Sequence, residues 1–425
     1  MNQENHLKVK KSLTRRDFIL KGGSALAGMT LVPRSLKPDP SHPNIASSLL
    51  TQKIRIGVVG GGFGADFYWH EHPNCVVQAV SDLREDRRKR LMEIYRCSNV
   101  YNSLAELIKD QSVDAVAVFT GAPDHVRHCT ACLKAGKHVI SAVPAAISLE
   151  QAEELLDCVK TTGLTYMMAE TSFYHQIVIS ARRFYREGRF GEIFYSEAEY
   201  LHPGMEYTLW YDAQGRPTWR HGLPPMLYPT HCTSYLVGVT GERLTEVTAT
   251  GWGDKDSINF PNVYKNPFWS EAAFFKTDQG HSFRVMVFWR GAFGGCERGQ
   301  WYGSRMSLFG QHPNGMAPVI RRISDEAEKD DAGFARRKSF FEAYAVPEWW
   351  KTDMLPEPLR HSSGHDGSHT FLTHEFIDAL VNKRKPAIDI YEALAFTVPG
   401  IIAHKSALAG GAPMKIPSFD RSPRP

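Results

Sequence analysis

Residues 54–67 read IRIGVVGGGFGADF, and the fold is decided there. A short β-branched run ends in glycines. Gly60, Gly62 and Ala65 satisfy G-x-G-x-x-G/A after an expected strand and before an expected helix. A tight turn of this kind lets backbone N–H groups approach a pyrophosphate at a helix N-terminus. Asp82 lies at the end of the second apolar run, VVQAVSD, where a carboxylate can hold the ribose 2′-OH of NAD and repel the phosphate of NADP. Arg84 follows closely and could reach a 2′-phosphate. The cofactor expected is NAD, with Gly60, Gly62, Phe63, Gly64, Asp82, Pro123, His125 and Pro144 at its site.

Outward from this stretch, VDAVAVFT, KHVISAV and LTYMMAE continue the strands, and helical patterns separate them. Strands alternating with helices predict a doubly wound parallel sheet, a Rossmann domain over 53–172. Cys129 and Cys132 form a C-x-x-C inside HVRHCTACLKAG, and read as buried helix positions rather than a redox pair or metal site. Beyond residue 172 the runs EIFYSEAEYLH, RLTEVTATGWG, SEAAFFKTDQG, SFRVMVFWRG and GSRMSLFGQ predict a C-terminal α/β domain over 173–425, built on a large, mostly antiparallel sheet. Two terminal helical stretches are expected to pack back on the Rossmann domain. The charged, Trp- and Pro-rich stretch 321–360 reads as an irregular surface insertion.

The N-terminus reads as an address. Basic residues through Arg15-Arg16 precede a weakly apolar run and a Pro-rich stretch, so residues 1–36 read as a twin-arginine export signal and 37–52 as a linker. The expectation is a periplasmic or otherwise exported protein that meets the twin-arginine translocation machinery. The first 37 residues hold eight Lys or Arg against two Asp or Glu, so a chain of net charge +4 is net −2 beyond them. The body has no basic tract suited to nucleic acid. No run of eighteen uninterrupted apolar residues exists to span a membrane. Seven cysteines are an odd number for a disulfide framework.

Candidate chemistry lies in four further segments. His231, in MLYPTHCTSY, could act as a base toward a hydroxyl being oxidised, since neutral imidazole has a suitable pKa. Trp219, Arg220 and His221 supply an aromatic face and donors suited to a sugar, or form a rigid surface loop. His361, His365 and His369 are spaced four apart in RHSSGHDGSH, but the glycines break a helix there. His365 and His369 therefore read as a sugar-lining loop, and no metal is expected. Glu170 could face the cofactor or cap a helix. Pro144 is placed to shape a turn beside the nicotinamide, in a cis form.

With these parts in view, the chain resembles the Gfo/Idh/MocA oxidoreductase family over roughly residues 53–420. The resemblance rests on IGVVGGGFGADF, on GAPDHVRHCTACLKAGKHVISAVPAAISLEQAEELL, on GRFGEIFYSEAEY and on the tail IDIYEALAFTVPGIIAHKSALAGGAPMKIP. It implies a Rossmann domain joined to a substrate domain, hydride transfer on a sugar or related compound, and a homo-oligomer. Two departures stand out. The family's Glu-Lys-Pro is Ala142-Val143-Pro144 here, and the Asp four residues before the histidine is Leu227. VPAA, YMMAETSFY and YPTH resemble glycoside hydrolase family 109 more narrowly. Members keep NAD bound and cleave glycosides by oxidation, elimination, hydration and reduction. That resemblance implies catalytic roles for His231 and Tyr174, with Tyr302 as a third candidate; the candidate sugar contacts are Trp219, Arg220, His221, Tyr228, His365 and His369. The expected function is an NAD(H)-dependent oxidoreductase on a sugar or glycoside. The alternatives are an NAD-recycling glycosidase and a non-catalytic, cofactor-bound sugar-binding protein.

Overall fold

The computed structural model describes residues 53–420 apart from 255–257 and 313. The twin-arginine segment lies outside the described residues. Six parallel strands form the first sheet: β1 (Ile54–Val59), β2 (Cys75–Ser81), β3 (Val100–Tyr101), β4 (Ala115–Val118), β5 (His138–Ser141) and β6 (Tyr166–Met168). Their order is β3-β2-β1-β4-β5-β6. Strands β1, β4 and β6 are almost wholly apolar because helices cover both faces. Helices α1 (Glu85–Tyr95), α2 (Leu104–Leu107), α3 (His125–Lys134) and α4 (Leu149–Thr162) make the crossovers. Ser148 caps α4 by accepting from Gln151 N–H, and Gly163 closes it at φ 65°. Cys129 and Cys132 are buried free thiols on α3.

The helix expected after the glycine turn is reduced to one 3-10 turn, Phe63–Asp66. The Tyr95 hydroxyl donates to the Gly64 carbonyl at 2.5 Å, with the Phe67 carbonyl 3.0 Å away. Phe67 and Trp69 then stack at 5.6 Å inside the core. A side-chain donor and two buried rings thus take over from the helical ladder.

The second sheet has nine strands, in the order β14-β13-β12-β11-β7-β10-β9-β8-β15. They are β7 (Ile193–Leu201), β8 (Leu244–Trp252), β9 (Ser270–Thr277), β10 (Ser282–Phe288), β11 (Cys296–Gly303), β12 (Met306–Phe309), β13 (Val319–Lys329), β14 (Ala335–Ala343) and β15 (Met414–Lys415). Only β7 and β10 pair in parallel. Helices α5 (Gln176–Arg186), α6 (Met205–Thr208), α7 (Thr230–Thr240), α8 (Gly364–Val381) and α9 (Ile390–Leu408) complete the chain. Helix α7 lies on the inner face of this sheet, where Trp301 Nε1 donates to the Tyr235 carbonyl and Gly299 leaves room for the Tyr235 ring. Helices α8 and α9 reach the first domain: Tyr68 N–H donates to Thr373, and Ala145 N–H to Thr397.

The stretch expected to be irregular is largely ordered. β13 and β14 form a hairpin turned by Asp330, whose carboxylate accepts from the N–H groups of Ala332 and Phe334. Cross-strand pairs Arg322–Glu342 and Lys338–Glu328 lie along it. The alternating charges belong to a solvated ribbon. The tryptophans that follow pack inward, with Trp349 Nε1 donating to Ser180.

Candidate active site

The glycine turn shows why Gly60 and Gly64 cannot be larger. Gly60 has φ +102°, and a Cβ there would lie 2.2 Å from the Phe119 carbonyl oxygen. A Cβ on Gly64 would meet the Phe119 ring at 2.9 Å. Asp82 follows β2, and its carboxylate accepts from Gly61 N–H at 2.7 Å and Arg84 N–H at 2.8 Å. The exposed Arg84 guanidinium is paired with Asp86 at 2.6 Å. A turn that leaves no room for a Cβ at Gly60 or Gly64, with a carboxylate at the second strand end, fits NAD. Gly60→Ala is expected to strip bound NAD from the purified protein and lower stability by about 1–3 kcal/mol, read by nucleotide content and urea unfolding.

The cofactor end is finished by loops after β4 and β5. Val143–Pro144 is a cis peptide, as expected. Pro123 stands half-buried in the turn Ala122–Asp124. His125, expected at the cofactor, lies behind the loops instead: its ring nitrogens sit 2.8 Å from the Pro144 carbonyl and 3.0 Å from the Thr120 carbonyl. Burial pushes its pKa down. Its role is to hold the two loops together.

Between the domains' contributions lies a cavity of about 210 Å³, lined by Phe63, Phe119, Thr120, Ala142 and Val143 on the Rossmann side. Trp219, Arg220, Tyr228, His231 and His365 line the rest. Tyr200, His202 and His365 also line a second cavity of about 880 Å³, which continues outward past His175, Glu297 and Tyr344. The Arg220 guanidinium lies 4.2 Å above the Trp219 ring, and the Trp219 ring presses on Gly121. Six of the residues singled out in the sequence therefore meet in one cavity.

His231 is the electrostatic centre. It is buried, and its Nδ1 lies 2.8 Å from Glu170 Oε1 and 3.9 Å from Glu297 Oε2. Burial opposes its charge, but Glu170 and Glu297 outweigh burial and raise its pKa to about 10. The same contact works the other way on Glu297: burial opposes its charge, and His231 and His175 hold its pKa below the ordinary value. The expected neutral base is thus an imidazolium at neutral pH, with Nε2 left for the cavity. Glu170, two residues past the end of β6, faces the histidine and also accepts from Ser172 N–H at 2.9 Å. It supplies the carboxylate that Leu227 lacks.

Four expected residues stand elsewhere; one is His369, expected to line the sugar site, which lines neither cavity and is 2% exposed. Tyr174 lines neither cavity; it stacks on Phe371 at 5.4 Å, 4° from parallel, and burial holds its hydroxyl well above its ordinary pKa. Tyr302 sits on β11 next to Trp301, so strand alternation turns it to the outer face beside Tyr195. His221 is buried under Trp210 and Tyr211, its Nε2 2.9 Å from the Ile258 carbonyl. Of the spaced histidines, His361 reaches Glu71 at 2.7 Å, whereas His365 and His369 contact each other at 2.9 Å.

Glu297, Tyr200, His175 and His202 were not singled out in the sequence. Glu297 had a signal: Glu297, Gly299 and Trp301 share the inward phase of β11, so a charge there faces the core. Tyr200 lies 4.6 Å from the His231 ring and lines both cavities.

Comparison with known proteins agrees with this geometry. Residues 54–170 match the oxidoreductase family, NAD-binding Rossmann fold (Gfo/Idh/MocA), and residues 314–423 match the glycosyl hydrolase 109 C-terminal domain. A glycosyl hydrolase family 109 protein of Streptomyces coelicolor is 24% identical over 90% of this chain and 85% of its own length. An alpha-N-acetylgalactosaminidase of Shewanella oneidensis is 23% identical over 96% of each. Among solved structures, levoglucosan dehydrogenase with NADH and L-sorbose superposes with a TM-score of 0.68 at 17% identity, covering 87% of this chain and all of that one. A UDP-N-acetylglucosamine 3-dehydrogenase of Acidithiobacillus ferrooxidans has a TM-score of 0.63 at 17% identity, over 84% and 98%. The chain is thus similar to the NAD-binding Rossmann domain of the Gfo/Idh/MocA oxidoreductases over residues 54–170 and to the C-terminal domain of glycosyl hydrolase family 109 over residues 314–423.

Proposed function

We propose that the protein is an NAD-dependent oxidoreductase of a sugar ring that uses the redox step to cleave a glycoside. The observation that carries this reading is the pairing of two unlike histidines in one cavity. His231 lies against the Glu170 and Glu297 carboxylates, which favour its charged form, whereas burial disfavours charge on His365. Bound NAD supplies a hydride acceptor at a ring carbon and returns the hydride afterwards. The hydroxyl proton released with the hydride passes to His202, which lines the same cavity and whose charged form burial disfavours, and is handed back when the hydride returns. His231 donates from Nε2 to the oxygen of that carbon, and its charge favours the carbonyl and the enolate that follows. His365 accepts the proton from the neighbouring carbon and returns it to the departing oxygen. The outer cavity of about 880 Å³ has room for the leaving group. The family 109 relatives support a glycoside as substrate, and the sugar dehydrogenase neighbours a ring hydroxyl as the redox centre. Turnover in D₂O tests this: the released sugar is expected to carry deuterium next to the anomeric carbon, and a product without deuterium there would refute the elimination.

We also propose that the chain is exported folded by the twin-arginine route to the periplasm with its NAD in place, which Arg15-Arg16 and the run that follows support. Changing both arginines to lysine should retain the protein in the cytoplasm on fractionation. A homo-oligomer through the outer face of the nine-stranded sheet is the remaining proposal. The polar ladder Arg284–Glu197 and Arg298–Glu199 supports it, and sedimentation tests it.

A further inference from the structure

His365 sits on a backbone that few side chains adopt. His365 (φ 49°), Asp366 (φ 54°) and Gly367 (φ 83°) are left-handed in succession at the head of α8. Gln176 pins them: its backbone N–H donates to the Asp366 carboxylate and its side-chain amide to the Asp366 carbonyl, both at 2.8 Å. One edge of the His365 ring is thereby delivered to the cavity. The other edge points at His369.

His369 is 2% exposed and stacks on Phe67, centroids 4.8 Å apart and 16° from parallel. A Cβ on Gly364 would come within 2.6 Å of this ring, so the bare glycine lets it in. His369 Nδ1 lies 2.9 Å from the Asp66 carbonyl, and its Nε2 lies 2.9 Å from His365 Nδ1. A carbonyl only accepts, so His369 Nδ1 carries the hydrogen. With His369 neutral, its Nε2 must accept, and His365 Nδ1 must donate. With His365 neutral, its Nε2 is then bare. Burial first, and then the neighbouring His365, press the His369 pKa down to about 4. Glu297, His231, His175 and Glu170 surround His365, and His175 also faces His369.

We infer that His369 is a positioning residue: anchored on the Asp66 carbonyl, it fixes the tautomer of His365 so that an Nε2 lone pair faces the cavity as proton acceptor. The inference rests on the role given to His365 in the proposed function. The arrangement follows a general rule, that the partner of one ring nitrogen decides the state of the other.

The test has two readouts. In ¹⁵N-histidine NMR of the full chain with its NAD, His365 should carry its hydrogen on Nδ1, the form free imidazole disfavours. An Nε2–H signal would overturn the inference whether or not the protein is active. His369→Phe keeps the stack on Phe67 and removes the acceptor. It should move His365 to the Nε2–H form, shift the acid limb of the pH–rate profile, and lower kcat by about 10–100-fold with KM little changed. His369→Gln places a carbonyl oxygen near the lost Nε2 and should restore most of the rate and the tautomer. An unchanged pH profile and tautomer in His369→Phe would overturn the inference. If His369→Phe does not fold, the parent spectrum and His369→Gln decide it. Absence of glycoside cleavage in the parent would strike the proposed function, and the tautomer would still decide this inference.

Discussion

Replacing His231 by alanine is expected to lower glycoside turnover by about 10²–10⁴-fold, the usual worth of a placed proton donor. The imidazolium is in contact with the carboxylates of both Glu170 and Glu297, and it lines the cavity. His231→Ala also leaves Glu170 and Glu297 facing each other without it, so stability falls too. His231→Asn separates the two effects. Its amide can still donate to Glu170 from near the Nδ1 position, but nothing replaces Nε2. The same rate loss with near-parent urea unfolding is expected of it. Parent-like kcat in His231→Asn would remove this histidine from the chemistry.

The second large effect belongs to Glu170. Its carboxylate is fully buried and holds both His231 Nδ1 and Ser172 N–H. Removing one partner of a buried ion pair costs about 3–5 kcal/mol. Glu297, 3.9 Å away, stays as a second counter-charge, so Glu170→Ala is expected at about 3 kcal/mol, the low end of that range. The pH dependence follows from the raised pKa. The folded value, about 10, lies above the ordinary 6.5, so the stabilisation is complete below pH 6.5 and is lost as pH rises through 10. Glu170→Ala should flatten that loss and move the alkaline limb of the rate profile to lower pH. Urea unfolding across pH 6–10 and initial rates over the same range check both. A parent-like pH dependence would show that Glu170 does not hold the proton.

The glycine turn and the alternating βα pattern were legible because each is local. A turn that needs φ +102° and a bare Cα announces itself within six residues. The convergence of Trp219, Arg220, Tyr228, His231 and His365 was legible through motifs, because each stretch brings its own loop chemistry. The pairing of His231 with Glu170 and Glu297 was not. The three residues come from α7, the end of β6 and β11, and only the packing of α7 under the sheet brings them together. For the same reason the protonation of His231 was misjudged: a histidine in an apolar stretch reads as neutral until its carboxylates are seen. Tyr174 and Tyr302 were misplaced for a different reason. Both lie beside site residues in sequence, but the ring of Tyr174 turns onto Phe371, and the strand phase of Trp301 sends Tyr302 outward.

The central claim is that redox chemistry serves cleavage. Purified protein with its bound NAD, given a panel of aryl glycosides, should be followed for aglycone release and NADH absorbance together. The account predicts aglycone release over many turnovers with no net NADH. NADH accumulation while the glycosidic bond stays intact would contradict it.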